Sequence, residues 1–326
     1  MSNEALRRNL SGSITTAFRK VEKTLGVWLW VLVFAILFSL VSPYFLGLLN
    51  FLNIARQASI IGLMAIGMTL VIITGGIDLS VGSVVSLVSA VFGVVWRSTN
   101  NLWAAVIVAF LTGAACGGFN GALISWVGVP AFIATFGMMG IGSGLAFALT
   151  AGSIGDFPQK FEFLGNGIVL GLPVPVFIVL LFALLFHYVL RKTVYGGRVL
   201  AIGGSELSSR LAGMNVKRYT FSVYLINGCL AGLAAIILCA RIRSSYPGIG
   251  QDLELDVVAA SVIGGANLMG GYGSIIGAIG GGFFISMIQN IFNLLGVYPF
   301  MQKVITGIFI VIAVLANQVK AGRKKQ

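Results

Sequence analysis

The residue best placed to do chemistry in this sequence is Asp78, an acidic residue inside a long apolar stretch. It follows the glycine pair Gly75-Gly76 and precedes Ser80 by two positions. A carboxylate at membrane depth costs at least about 2.5 kcal/mol, so it normally faces protein or water and marks a functional path. Three roles are open for Asp78. It could line or couple a transport path, cap the helix that follows, or pair with a buried arginine.

A second group of polar residues predicts a short helix with a surface role. Ser205 can cap its start, Glu206 lies four residues before Arg210, and Gly213 can close its end. Glycines Gly203 and Gly204 come directly before it. We expect this helix to dock against another protein, the alternative being an ordinary solvated loop helix.

The residue sets that an intramembrane hydrolase, a redox enzyme or a metal site would need are missing. The chain has one histidine, His187, and its three cysteines, Cys116, Cys229 and Cys239, lie in apolar segments without metal-ligand spacing. No Gly-Lys pair occurs, so the chain carries no phosphate-binding loop of the G-x-x-x-x-G-K-[ST] type. We therefore expect no catalytic residue, no metal site, no cofactor and no enzyme activity of its own.

Composition identifies the class of protein that must hold these residues. Charged residues make up 9% of the 326 residues, and the mean hydropathy is +1.00, whereas a soluble domain has roughly 25% charged residues. The apolar runs are near 20 residues long and do not alternate with period two, which argues against a β-barrel. The prediction is an all-α polytopic membrane protein with about ten transmembrane helices, some broken or re-entrant, at approximately 26–40, 54–73, 79–96, 102–126, 130–150, 168–190, 219–240, 257–268, 273–295 and 304–316.

The placement of basic residues predicts which ends face the cytoplasm. Fifteen of the 21 Lys and Arg lie in three blocks, which are Arg7–Lys23, Arg191–Arg218 and Lys320–Lys325. Such blocks are typical of cytoplasmic segments, and ten crossings put both termini inside. A nucleic-acid footprint would need basic residues on a folded polar face, so we expect no nucleic-acid partner.

The predicted organisation is one membrane domain with short cytoplasmic ends. Residues 1–25 form a cytoplasmic N-terminal segment, 26–317 the transmembrane domain with a cytoplasmic loop at 191–218, and 318–326 a basic tail. The first apolar run has no A-x-A-like site after it, so we expect an uncleaved span rather than a signal peptide. The path at 257–271 stays open, because that segment could span or re-enter.

A weak internal repeat connects two glycine-interrupted segments. Gly75-Gly76-Ile77-Asp78-Leu79 recurs as Gly264-Gly265-Ala266-Asn267-Leu268. Glycine-interrupted spans in corresponding halves of a transporter point to its translocation path. The alternative is chance similarity between two glycine-rich spans.

The run AIGMTLVIITGGIDLSVGS, from Ala65 to Ser83, resembles the signature of the permeases of bacterial ABC monosaccharide importers, the ribose/xylose/galactose permease group. The resemblance spans roughly residues 50 to 315. Its further matches, in chain order, are Asn120-Gly121, Pro130–Thr135, Gly197-Arg198, Ala201–Gly204, Ala212–Val216, Glu254–Asp256, Val262–Gly265, Gly270-Gly271 and Asn293–Val297.

This resemblance implies a permease subunit in the bacterial inner membrane that moves a monosaccharide or related polyol. Its implied partners are a second permease copy or paralogue, a cytoplasmic ATPase with tandem nucleotide-binding domains and an extracytoplasmic sugar-binding protein, all at the lipid bilayer. The implied translocation path includes Thr74, Gly75, Gly76, Asp78, Ser80, Asn120, Phe132, Thr135, Gly264, Gly265 and Asn267. The implied ATPase-coupling loop includes Arg198, Gly203, Gly204, Glu206, Arg210, Leu211 and Gly213.

The residues by themselves leave one alternative function open. An ion- or proton-coupled secondary transporter could use Asp78 as its titrating group and would need no ATPase. The sequence does not identify the sugar, the residues that touch it, or whether two permease copies are identical.

Overall fold

The computed structural model describes residues 26–298, 300–305 and 307–308. The predicted N-terminal segment 1–25, the basic tail 318–326 and most of the last predicted span, 304–316, lie outside the described residues.

The regular structure of the described residues is helical apart from one two-stranded hairpin and an isolated β-bridge between Ile154 and Ser245. Seven of its helices are long and apolar enough to cross a membrane, which makes this an all-α polytopic membrane protein. The elements, in chain order, are α1 Gly26–Val41, α2 Leu48–Ile73, α3 Val81–Thr99, α4 Leu102–Ala122 with a π-helical turn Leu123–Val127, α5 Ala131–Leu149, α6 Gln159–Asn166, β1 Ile168–Val169, β2 Leu172–Pro173, α7 Val174–Lys192, α8 Val194–Gly204, α9 Glu206–Leu211, α10 Val216–Ile242, α11 Leu253–Ile263 and α12 Ile275–Leu294.

Helix α2 forms the centre of the molecule. In the most apolar 18-residue stretch of α2, 89% of the residues are buried, whereas the corresponding share for α7 is 22%. The helices α10, α12, α11 and α7 all pack against it. A helix that is apolar on every side is expected in such a position. In the break that follows α2, Asp78 and Ser80 are buried, whereas Gly75 is exposed.

Glycines bring α4 and α10 into close contact. A Cβ on Gly113 would lie 2.7 Å from the carbonyl oxygen of Gly228, and a Cβ on Gly117 would overlap that of Tyr224. Gly113 and Gly117 lie on one face of α4, one turn apart, as in the small-xxx-small contacts of membrane helices. The close approach brings the polar groups of α4 and α10 to the break after α2.

Alanine at Gly117 should destabilise the folded protein, while alanine at neighbouring Gly118 should not. A Cβ on Gly118 would meet only side-chain atoms of Leu225 and Phe221 at 3.7 Å or more. We expect Gly117→Ala to cost about 1–3 kcal/mol, the usual penalty for overpacking, measured as a lower unfolding temperature of the detergent-purified protein. Equal unfolding temperatures for the two variants would contradict the close packing.

The end of α2 and the end of α11 have the same backbone geometry. After α2, Gly75 has φ 84°, and the N–H of Gly76 donates to the carbonyl of Val71 over 3.1 Å. After α11, Gly265 has φ 93°, and the N–H of Ala266 donates to the carbonyl of Ser261 over 3.0 Å. This is the glycine-terminated Schellman ending.

The turns that follow the two helix ends also agree. Asp78 accepts a hydrogen bond from the N–H two residues later, and so does Asn267. The predicted repeat is thus present in the backbone, but its glycine register is shifted by one residue, because Gly75 corresponds to Gly265 rather than Gly264.

Several predicted boundaries are wrong for local reasons. The span expected from Ile168 begins at Val174, since residues 168–173 form the hairpin. The segment expected as loop up to Asp256 already turns helical at Leu253. Asp256 therefore lies in α11 rather than in a loop. It is buried like Asp78, at 9% exposure, and it accepts a hydrogen bond from Gln289. Helices α6 and α8 were not predicted.

Candidate functional site

Asp78 lies at the centre of a buried polar network that joins the break after α2 to α4 and α10. Its side chain is 2% exposed. Oδ1 accepts hydrogen bonds from the N–H of Ser80 over 2.9 Å and from the Ser80 hydroxyl over 2.6 Å. Oδ2 accepts one from the Asn227 amide of α10 over 2.9 Å, and the Asn120 amide of α4 donates to Ser80 Oγ over 2.9 Å. Three donors thus converge on one carboxyl group.

This geometry decides among the structural roles considered for Asp78. Ser80, not Asp78, precedes the first helical residue of α3, and Asp78 binds the N–H of Ser80 itself rather than one inside the helix. The simple capping interpretation is therefore wrong in detail. Within the described residues, no arginine or lysine forms an ion pair with Asp78. Its contacts hold the break against α10 and the start of α3.

Other predicted path residues surround the same break. The Thr135 hydroxyl of α5 is within 3.3 Å of the carbonyl oxygen of Ile77 and also binds the carbonyl of Ala131 over 2.8 Å. The Thr74 hydroxyl binds the carbonyl of Val71 over 2.8 Å. A Cβ on Gly76 would overlap the Tyr224 hydroxyl of α10. Thr74, Gly75, Gly76, Asp78, Ser80, Asn120 and Thr135 are thus brought together.

The remaining predicted path residues lie elsewhere. Phe132 is 60% exposed and stacks on Phe136 along the outer face of α5. Gly264 packs against Gly277 of α12. Asn267 folds the following loop by donating to the carbonyl of Gly270 over 2.9 Å. These residues do not touch the Asp78 network through any hydrogen bond described for them.

A glycine junction connects this loop to the end of α2 and to α8. The N–H of Gly271 donates to the carbonyl of Ile73 over 2.8 Å. A Cβ on Gly203 would overlap that same carbonyl oxygen and lie 2.5 Å from the nitrogen of Gly271. A Cβ on Gly270 would lie 2.6 Å from the carbonyl oxygen of Gly203. We call Ile73, Gly203, Gly270 and Gly271 the glycine junction.

The short helix predicted after this junction is confirmed as α9. Ser205 Oγ accepts a hydrogen bond from the N–H of Ser208, Glu206 pairs with Arg210, and Gly213 takes a left-handed φ of 77°. Leu207 is 69% exposed and Leu211 is 81% exposed. These leucines are four residues apart and so share one face of the helix.

Aromatic contacts hold α8 to the start of α10. The Arg198 guanidinium donates to the Tyr219 hydroxyl and lies 5.6 Å from the centre of its ring. The Tyr195 hydroxyl shares a hydrogen bond of 2.7 Å with Ser222 Oγ. Burial raises the pKa of the Tyr195 phenol, which the bond to Ser222 partly offsets. The phenol stays neutral, and these contacts connect α8 to the start of α10.

Sequence reasoning missed two members of the site, Asn227 and Tyr224. Both lie on α10, at 1% exposure. Asn227 is an amide inside a long apolar run, and a polar group in such a run normally faces protein partners. That signal could have identified Asn227. Nothing in the sequence distinguishes Tyr224 from a tyrosine at a membrane interface.

Comparison with known proteins agrees with the family resemblance of the sequence. Residues 50–314 match the family described as "Branched-chain amino acid transport system / permease component". The ribose import permease protein of Bacillus subtilis strain 168 is 40% identical over 308 residues, which cover 93% of this chain and 95% of the relative. The corresponding protein of Escherichia coli K12 is 39% identical, with 89% of this chain and 92% of the relative covered.

An arabinose relative extends the same pattern. The L-arabinose transport system permease protein of Escherichia coli K12 is 34% identical over 299 residues, which cover 90% of this chain and 91% of the relative. No solved structure matches the chain significantly. The matched family and these relatives span nearly the whole sequence, including the break around Asp78, the glycine junction and α9. The chain therefore belongs to this family of transport-system permease components, a family whose members are transport components rather than enzymes.

Proposed function

We propose that this chain is the membrane-spanning permease of an ATP-driven importer that carries a monosaccharide or related polyol across the bacterial inner membrane. The observation that carries the proposal is the 40% identity to a ribose import permease over 93% of the chain. The family description names branched-chain amino acids. The ribose and L-arabinose relatives favour a sugar. A neutral polyol also suits a break with hydroxyl and amide groups, since it needs hydrogen bonds without a deep charged trap.

The proposed topology has ten crossings with both termini in the cytoplasm. The glycine junction puts the end of α2 and the loop after α11 beside the basic 191–218 loop, which we assign to the cytoplasm. Helix α10 starts from this basic loop and crosses the membrane outward. The chain must therefore return before Gly270, so α11 with its following loop counts as one crossing. We keep one membrane domain, 26–317, flanked by cytoplasmic segments 1–25 and 318–326.

Energy would enter through α9. Leu207 and Leu211 give this helix an exposed apolar face, which we assign to a separate ATPase subunit with tandem nucleotide-binding domains. Movement of α9 would pull on Gly203 directly, because only Gly204 and Ser205 separate them. The glycine junction would pass this movement to Ile73 and so to the break that holds Asp78.

Sugar would be handed over by an extracytoplasmic binding protein and pass beside the break. Thr74, Ser80, Asn120 and Thr135 offer weak hydrogen-bonding groups there, and Asp78 would position the break rather than grip the sugar. A second permease copy or paralogue would complete the path, because Phe132 and Phe136 leave one face of α5 exposed.

Alanine at Glu206, Arg210 and Leu211 together should uncouple the transporter. We expect uptake of the cognate sugar to fall at least about tenfold, because loss of a central interface residue costs about 2 kcal/mol or more. The measurement is uptake by cells that express the variant with its ATPase and binding protein, using a panel of pentoses, hexoses and polyols. Membrane insertion, checked by blotting of the membrane fraction, should be unchanged.

A matched control for this variant is Leu170→Ala. Leu170 is 91% exposed in the turn of the hairpin, far from α9 in the chain, and its loss should leave uptake normal. Normal uptake by the triple variant would refute the proposal that α9 docks against the ATPase. A chain that supports uptake of no sugar, even unaltered and with its partners, would refute the proposed function.

A further inference from the structure

A cavity of about 190 Å³ lies between α9 and the break after α2. Its exposed rim carries the charged side chains of Glu206, Arg210 and Lys217. Most of its lining is polar, and Ile124 and Ile202 contribute to the smaller apolar part. The volume is below the roughly 300–1,000 Å³ of sites for drug-sized ligands, so it suits one small molecule.

The buried part of the cavity has hydroxyl groups without partners. Ser125 and Tyr224 both line it, at 8% and 1% exposure. Neither hydroxyl has a hydrogen-bond partner among the described residues. A buried polar group left unpaired costs about 1–3 kcal/mol. A Cβ on Gly75, which also lines the cavity, would meet no atom within 4 Å.

The charges at the rim do not make this an anion site. Arg210 is already paired with Glu206 on α9, and Lys217 is exposed. Away from the rim, the described lining residues offer hydroxyls, apolar side chains and glycine backbone and no charged side chain. The ligand best matched to this mostly polar lining is neutral and carries several hydroxyl groups, with C–H faces for the smaller apolar part at Ile124 and Ile202.

We propose that this cavity is an inner sugar site, contained within a single permease chain, that holds one monosaccharide before its release to the cytoplasm. The inference rests on the proposed function and adds a site to it. Because Glu206 and Arg210 of α9 form the rim, a movement of α9 also changes the opening of the cavity. The same movement that shifts the break would thereby let the sugar leave.

Protection of a cysteine in the cavity tests the site directly. Thr220, which lines the cavity, is changed to cysteine in a background where Cys116, Cys229 and Cys239 are replaced. The purified permease, without ATPase or binding protein, is labelled with a soluble maleimide in the presence of ribose, L-arabinose, galactose or inorganic phosphate. At a sugar concentration of about ten times Kd, labelling should slow about tenfold, since only about a tenth of the sites stay open.

Three further variants make the result specific. Lys217→Cys, on the exposed rim of the cavity, gives a second reporter that sugar should protect less strongly than Thr220→Cys. Ala212→Cys lies outside the cavity lining on the same loop, and its labelling should not respond to sugar. Adding Ser125→Ala to the Thr220→Cys reporter should weaken protection about three- to tenfold through the loss of one hydrogen bond.

The outcomes separate this site from the proposed function. If the complete transporter takes up a sugar that protects neither reporter at any concentration, the cavity proposal is wrong and the importer function stands. Protection by phosphate but by no sugar would also refute it. If the complete transporter takes up no sugar, the proposed function fails, and the cavity proposal fails with it.

Discussion

Alanine at Gly203 should nearly abolish sugar uptake, whereas alanine at the adjacent Gly204 should leave it close to normal. A Cβ on Gly203 would overlap the carbonyl oxygen of Ile73, while a Cβ on Gly204 would meet nothing within 4 Å. The hydrogen bond from the N–H of Gly271 to Ile73 would have to lengthen or break to make room. Both glycines end the same helix, so the two variants differ in contact and hardly in helix propensity.

The expected loss for Gly203→Ala is at least about tenfold in the initial uptake rate, which corresponds to about 1.4 kcal/mol and lies within the usual overpacking penalty of about 1–3 kcal/mol. The ATPase activity of the assembled complex, measured in the same membranes, should persist and lose its dependence on sugar-loaded binding protein. Gly197→Ala, another open position on α8, gives a second control. Equal uptake by Gly203→Ala and Gly204→Ala would show that the glycine junction does not transmit movement of α9 to the break after α2.

Asparagine at Asp78 should be tolerated, whereas leucine should remove most of the folded, active protein. Leucine would leave three donors unpaired, namely the N–H and hydroxyl of Ser80 and the amide of Asn227. Each unpaired buried donor costs about 1–3 kcal/mol. Asparagine keeps an oxygen for Ser80. Its amide could bind Asn227 Oδ1, which has no partner among the described residues, if the Asn227 amide turns over.

Uptake rates and detergent stability of the two variants give the measurement. We expect Asp78→Asn to retain uptake within about threefold of normal and Asp78→Leu to unfold at a lower temperature, consistent with loss of several kcal/mol. A secondary transporter with Asp78 as its titrating group makes the opposite prediction, because asparagine cannot carry the proton. Complete loss of transport in a stably folded Asp78→Asn protein would therefore favour that alternative.

Local sequence patterns were enough to predict α9 and the broken helix. Ser205, Glu206, Arg210 and Gly213 act over four residues or fewer, and each forms the contact or backbone turn expected of its type. The glycine after α2 likewise takes the left-handed conformation that ends a helix. The apolar content also predicted the class of fold, since a chain with 9% charged residues cannot cover a soluble surface.

Contacts between distant segments could not be predicted in the same way. Asn227 reaches Asp78 across 149 positions, and Gly203 meets Ile73 because two helix ends converge. These pairs depend on how helices pack, which a local pattern does not contain. The family motif likewise did not separate Phe132 from Thr135, although Phe132 is exposed while the Thr135 hydroxyl lies 3.3 Å from the carbonyl oxygen of Ile77.

Transport by reconstituted vesicles tests the central claim most directly. The purified chain is placed in vesicles alone, or together with its ATPase and sugar-binding protein, and uptake of labelled ribose or L-arabinose is followed with and without ATP. We expect uptake only in the complete assembly and only with ATP, with no response to an imposed proton or sodium gradient. Gradient-driven uptake by the chain alone, in the absence of ATP, would contradict it.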